Sequence, residues 1–148
     1  MKSLLKLNLI ALLAILVASC ASTKQFKKFT QDEDLESDKA RIYIVRTGNF
    51  GGFVKFNVFD NSKDNQMGSL GPKSYLCFDV TPEEHKIIAQ AETERVYTIN
   101  AQKGKTYYLR LIPKMGFNYA RVNFEMLSAQ EGKEAVKKLK TPKMYYSE

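Results

Sequence analysis

His85, in Pro82-Glu83-Glu84-His85-Lys86-Ile87, is the one histidine of the chain, and the adjacent carboxylates could orient it for proton transfer. A single imidazole excludes every metal or catalytic site that needs two. No nucleophile accompanies it: there is no Gly-x-Ser-x-Gly elbow, no His-Glu-x-x-His, and no Gly-rich phosphate loop ending in Lys-Ser or Lys-Thr. His85 therefore reads as a residue placed where a turn hands over to a strand. Cys77, in Ser74-Tyr75-Leu76-Cys77-Phe78, shares the chain only with Cys20. Two cysteines make no disulfide framework, and nothing basic stands near Cys77 in sequence to activate its thiolate, so it reads as a buried core thiol. Asp60, Asp79, Glu83, Glu92, Glu94 and Glu125 could in principle supply a carboxylate pair for hydrolysis. Most of them sit in turns or at strand ends, where solvated charge is the ordinary explanation. No cofactor and no metal site is expected.

Cys20 is different because of what precedes it. Lys2 and Lys6 form a basic start, and residues 7–23 carry no charge, with Leu, Ile, Ala and Val filling most of 7–17. This is the length of a secretory h-region, at the bottom of what a spanning helix needs. The run ends Val17-Ala18-Ser19-Cys20, which resembles the lipobox of bacterial lipoproteins: a branched apolar residue, two small residues and a Cys whose thiol takes a diacylglyceryl group. The resemblance implies cleavage before Cys20, which becomes the lipidated N-terminus. Several acyl chains at about 0.8 kcal/mol per buried CH2 hold a protein on a membrane essentially permanently. Residue 21 is Ala, not Asp, so the resemblance extends to sorting toward the outer membrane, with the periplasmic side favoured over the surface. The expected organisation is a signal peptide at 1–19, lipidated Cys20 and a polar tether over 20–39, and one domain at 40–148.

The net charge of +7 invites nucleic acid. Export argues against that partner. The domain from Ala40 keeps 17 basic and 11 acidic residues, a net +6, and outside the cytoplasm the available polyanions are acidic glycans, lipopolysaccharide phosphates and anionic lipid headgroups.

The elements that position these residues are short β-rich runs at 41–46, 54–59, 66–70, 74–80, 86–91, 95–99, 106–112 and 121–126, separated by Gly-, Pro-, Asn- and Asp-rich turns. No connection is long enough for a crossover helix, so the sheets should be mainly antiparallel. The expected fold is all-β: an immunoglobulin-like or transthyretin-like sandwich of seven to eight strands. Alternation predicts half-buried strands, with Ile42 and Ile44 opposing Tyr43 and Val45, and Phe56 and Val58 opposing Lys55 and Asn57. Tyr107, Leu109 and Leu111 share a face on what should be a central strand. Ser128-Ala129-Gln130-Glu131 is a capping-box pattern, and Ala135, Val136 and Leu139 follow at helical spacing, predicting one short helix from 129 to about 140 before Pro142.

If eight strands alternate up and down, the odd-numbered connections gather at the end away from the tether. That end would present Phe50 and Phe53 in a Gly-rich loop and Phe117 and Tyr119 in a second. Aromatic side chains on loops over a rigid sandwich suit partner binding.

The run Ala40-Arg41-Ile42-Tyr43-Ile44-Val45-Arg46, the Gly-rich loop, Gly68-Ser69-Leu70, Ser74-Tyr75, Pro82 with His85, and Thr106-Tyr107-Tyr108-Leu109-Arg110 together resemble the bacterial lipoprotein family catalogued as domain of unknown function 2846, over about 40–126. That resemblance implies a small β-sandwich with no established catalytic residues. Glu83-Glu84 stand where Gly often precedes the His-containing strand, so that turn departs from the pattern. The functional expectation is a non-enzymatic, lipid-anchored envelope protein whose sandwich binds another protein or an envelope polymer through its membrane-distal loops. A glycan- or lipopolysaccharide-binding accessory module is the alternative, and a carboxylate-dependent hydrolase a more distant one.

Overall fold

A computed structural model describes residues 34–115 and 120–139, together with the backbone of 25–27 and 144–146. The strands are β1 (Gln25–Lys27), β2 (Ala40–Arg46), β3 (Phe56–Asp60), β4 (Gln66–Leu70), β5 (Ser74–Val80), β6 (Glu84–Gln90), β7 (Glu94–Asn100), β8 (Thr106–Met115), β9 (Ala120–Leu127) and β10 (Met144–Tyr146), with one helix, α1 (Ala129–Lys137), among the described residues. Two four-stranded sheets, in the orders β5-β2-β8-β9 and β4-β3-β6-β7, face each other as an all-β sandwich.

Every expected strand is present. The turn residues that separate them explain the tight connections: Asn61 and Lys73 take positive φ beside the β3–β4 and β4–β5 strand ends. All pairings within the two sheets are antiparallel except β2 with β8, which run parallel from Arg41↔Thr106 to Val45↔Arg110. This pair is compatible with strict up-and-down alternation, because β2 and β8 are the first and seventh strands of the sandwich. An immunoglobulin-like order would place the first strand beside the second. Here it lies between the fourth and the seventh, which leaves the transthyretin-like alternative.

The inter-sheet core is built from alternate residues: Ile42, Ile44, Leu76, Leu109 and Leu111 from one sheet and Phe56, Val58, Leu70, Ile87 and Ala89 from the other, all buried. β8 is central, as its apolar face predicted, and the Tyr107 hydroxyl reaches the rim, where it accepts from Gln102 N at 3.0 Å.

β2 departs from the half-buried expectation, since all seven of its residues are buried. The cause lies at the other end of the chain. α1 folds back over the outer face of β8, β2 and β9, and Gly132 lets the helix backbone sit against the Tyr108 ring, where a Cβ would collide. Tyr108 in turn stacks on Tyr43, with centroids 5.0 Å apart. Burial pushes both phenols above their ordinary pKa, Cys77 adding to the effect. Cys77 is fully buried in this layer, on the helix side of the sheet. The helix begins as its capping box predicts. Ser128 Oγ accepts from Glu131 N, while the Glu131 carboxylate accepts from Ser128 N at 3.0 Å. It ends at Lys137, short of the expected 140.

One pairing was not expected. β1 lies inside the stretch read as tether and pairs antiparallel with β10, Gln25 opposite Tyr146.

Candidate functional site

The two ends of the sandwich hold two polar clusters of different kinds. The chain comes into the sandwich beside the β7–β8 connection: Lys39 O accepts from Gly104 N at 2.8 Å, and Arg41 N donates to Lys105 O at 2.9 Å. β2 then carries the chain seven residues to the far end, a distance of about 20 Å at 3.3 Å per residue.

At the far end stands Arg46, in phase with Ile42 and Ile44 and therefore directed into the core, with no exposed surface. Its guanidinium lies over the Phe56 ring at 5.2 Å. Nη1 donates to Val54 O at 2.6 Å and Leu70 O at 3.4 Å, and Nη2 donates to Phe50 O at 2.8 Å and Gly51 O at 2.9 Å. Nε has no hydrogen-bond partner among the described residues. Burial pushes this group below its ordinary pKa, and the carbonyl dipoles replace the carboxylate that a buried cation would ordinarily require.

Those four carbonyls belong to the 47–55 loop and the end of β4, so one side chain gathers the loop against the sandwich. The loop closes on itself through Val54 N donating to Gly51 O at 2.8 Å. Gly51 has φ +65, a conformation that favours glycine, and a Cβ there would meet Arg46 Nη2 at 3.7 Å and Pro113 of β8 at 4.0 Å. With its backbone so held, the loop turns two rings outward: Phe50 is 51% exposed and Phe53 fully so. Lys55, Lys73 and Lys114 are exposed on the segments that converge there. Phe117 and Tyr119, expected to share this end, lie outside the described residues, as does Cys20.

At the near end, His85 is not a turn residue. It is the second residue of β6, 3% exposed, and directed inward with Ile87. Nδ1 lies 2.9 Å from each Asp60 oxygen and Nε2 lies 2.8 Å from Thr81 O. A carbonyl only accepts, so Nε2 donates, and neither ring nitrogen is free for a substrate. Glu83 Oε1 lies 4.0 Å from Nε2 and accepts from Thr81 Oγ1 at 2.6 Å. The pair fastens the start of β6 to the end of β3.

The other carboxylates named from sequence are also committed. Asp79 accepts a two-pronged contact from Arg41, at 2.7 and 2.9 Å, that holds the guanidinium above its ordinary pKa; Glu125 accepts from Arg110 at 2.8 Å; and Glu94 meets Lys63 at 2.7 Å. Glu92 has an interaction of its own. Sequence reasoning named Phe50 and Phe53, whose rings are exposed, but not Arg46. The available signal was an Arg in phase with two core isoleucines, immediately before a Gly-rich loop.

A protein of Haemophilus influenzae strain Rd described as an uncharacterized protein is 27% identical over 132 residues, covering 85% of this chain and 77% of its own length. A match of that length does not fit within 40–148 and so takes in part of the N-terminal segment. No protein-family model matches the chain, and no solved structure matches it significantly.

Proposed function

We propose that this chain is a lipid-anchored envelope protein, without catalysis of its own, that binds a partner through the loop end of its sandwich, away from the tether. The observation that carries the proposal is the pairing of a fully exposed Phe53 with a loop backbone fixed by a buried Arg46. An aromatic ring left in water forgoes about 1.5–3 kcal/mol that burial would return, and a loop already ordered loses little entropy when a partner covers it. The placement suits an anchor: the chain comes in at one end of β2 and the rings project at the other. The Val17-Ala18-Ser19-Cys20 sequence supports cleavage and acylation at Cys20, with outer-membrane sorting following from Ala21, and the resemblance to domain of unknown function 2846 is part of the same reading.

The exposed Lys55, Lys73 and Lys114 around the same end favour a partner with anionic groups, which keeps an acidic glycan or lipopolysaccharide as the second reading. Hydrolysis is disfavoured because the candidate carboxylates of the described residues are occupied by partners.

The test is membrane fractionation with mass analysis of the mature N-terminus, for wild type beside Cys20→Ala, and a crosslinking pull-down with Phe50→Ser/Phe53→Ser. Acylated Cys20, and a discrete partner lost in the double variant, is the expected result. An unmodified Cys20 in a protein that does not sediment with membranes overturns the anchoring, and a partner retained by the double variant overturns the loop end as the binding site.

A further inference from the structure

β9 is the last strand of its sheet and pairs only with β8 among the described residues. Its ladder with β8 runs without a register shift from Tyr108↔Leu127 to Met115↔Ala120, and α1 extends inward over β8 and β2. Among the described residues, one long edge of N–H and C=O groups is therefore left without a strand partner. Natural sheets blunt such edges with Pro, bulges, covering segments or like charges, and β9 has neither a Pro nor a bulge. Its charges are of opposite sign, Arg121 and Glu125, four residues apart, and both are exposed on the outer face; one Glu125 oxygen accepts from Arg110 of β8, and the carboxylate can accept a second guanidinium. Met126, on the other face, leaves 39% of its surface in water.

These features define one self-complementary arrangement. When two copies of an edge strand meet antiparallel about a two-fold axis perpendicular to the sheet, outer-face residues oppose outer-face residues, so only residues of like parity face each other. Centring the axis on Asn123 sets Arg121 opposite Glu125 of the second copy and Glu125 opposite its Arg121. It also sets Val122 opposite Phe124, extending the apolar layer. Moving the axis to Val122 or Phe124 breaks both charge pairs. The exposed edge strand β7 has no equivalent: its only charges, Glu94 and Arg95, are adjacent and so lie on opposite faces, and no register brings them together.

We infer that β9 is a homodimerisation edge, on which a second copy of this chain adds its own β9 antiparallel with Asn123 on the two-fold axis, joining the two β5-β2-β8-β9 sheets into one of eight strands. Backbone hydrogen bonds supply the association, and the reciprocal Arg121–Glu125 pairs set the register. This inference is independent of the reading of Cys20 and of the loop end.

The test uses the full chain in detergent. Two residues opposed across the axis have Cα atoms about 4.5–5.5 Å apart, within the reach of a disulfide. In a Cys20→Ser background, Asn123→Cys should give a covalent dimer on mild oxidation, while the background alone, whose Cys77 is buried, and Thr98→Cys on β7 should not. Arg121→Glu alone and Glu125→Arg alone should each shift light-scattering mass toward the monomer, because each homodimer then opposes like charges. Mixing the two variants should restore a dimer, since the carboxylate introduced at position 121 of one copy then meets the guanidinium introduced at position 125 of the other. A monomeric wild type, a Thr98→Cys variant that crosslinks as well as Asn123→Cys, or a mixture no more associated than its components would each overturn the inference.

Discussion

Replacing Arg46 by Met removes a buried side chain that joins the loop end to the core. Three of its hydrogen bonds, at 2.6, 2.8 and 2.9 Å, are charge-assisted and contribute roughly 1.5–3 kcal/mol each in gross terms. Most of that is offset, because burying a guanidinium costs several kcal/mol and the Phe50 and Gly51 carbonyls sit on an exposed loop that water can reach. The Val54 and Leu70 carbonyls are less accessible, and the thioether leaves them unpaired. The net loss expected is about 2–3 kcal/mol, which for a domain of this size lowers Tm by roughly 10 °C. Arg46→Lys should recover less than half, since an ammonium cannot fork between Val54 and Gly51. Thermal unfolding followed by circular dichroism gives the first number, and hydrogen exchange locates it: the Val54 amide, bonded to Gly51 O, should lose protection in Arg46→Met while the β2–β5 ladder keeps its own. An unchanged Tm together with unchanged exchange in 48–55 would refute the claim that Arg46 orders the loop.

Asp60→Ala removes the partner of the buried His85 Nδ1 and should destabilise by about 1–3 kcal/mol in urea titration, because a buried ring nitrogen is left unpaired. Gly132→Ala drives a methyl into the Tyr108 ring and should cost about 1–3 kcal/mol in the same assay, with α1 undocked before the sandwich melts. Ser128→Ala removes the cap and should cost about 1 kcal/mol. The hydrogen bonds from Ser128 hold the Glu131 carboxyl below its ordinary value. The sign of that shift makes the cap's contribution complete above pH 4.5 and lost as pH falls through the lowered pKa, so α1 should fray on acidification, readable from exchange at Gly132. Phe53→Ala should leave stability within about 0.5 kcal/mol of wild type while abolishing partner capture.

Strand positions were legible because alternation and turn chemistry are local. The same holds for α1, whose capping box needs only four consecutive residues. What escaped is long-range. The parallel β2–β8 pair joins residues more than sixty positions apart, and the second buried face of β2 exists only because a C-terminal helix returns to it. Residue type misled where charge is buried: Arg41, Arg46, Asp60 and His85 are all within 5% of full burial; Arg41 meets Asp79 and His85 meets Asp60 across long stretches of chain, and Arg46 is held by backbone carbonyls, most of them in the loop that follows it, which residue type does not reveal. The exposed rings of the site were readable from Gly-flanked aromatics, but the residue that holds them in place was not. An arginine is ordinarily counted as surface, and only its phase with Ile42 and Ile44 gives it away.

The central claim is that the loop end meets a partner, and a photocrosslinking phenylalanine analogue placed at Phe53 in the full chain in intact cells tests it most directly, with the same analogue at Asn65, exposed in the β3–β4 turn at the opposite end, as the reference. A discrete crosslinked species from position 53 and none from position 65 is the expected result. No crosslink at 53, or the same species from both positions, would contradict it.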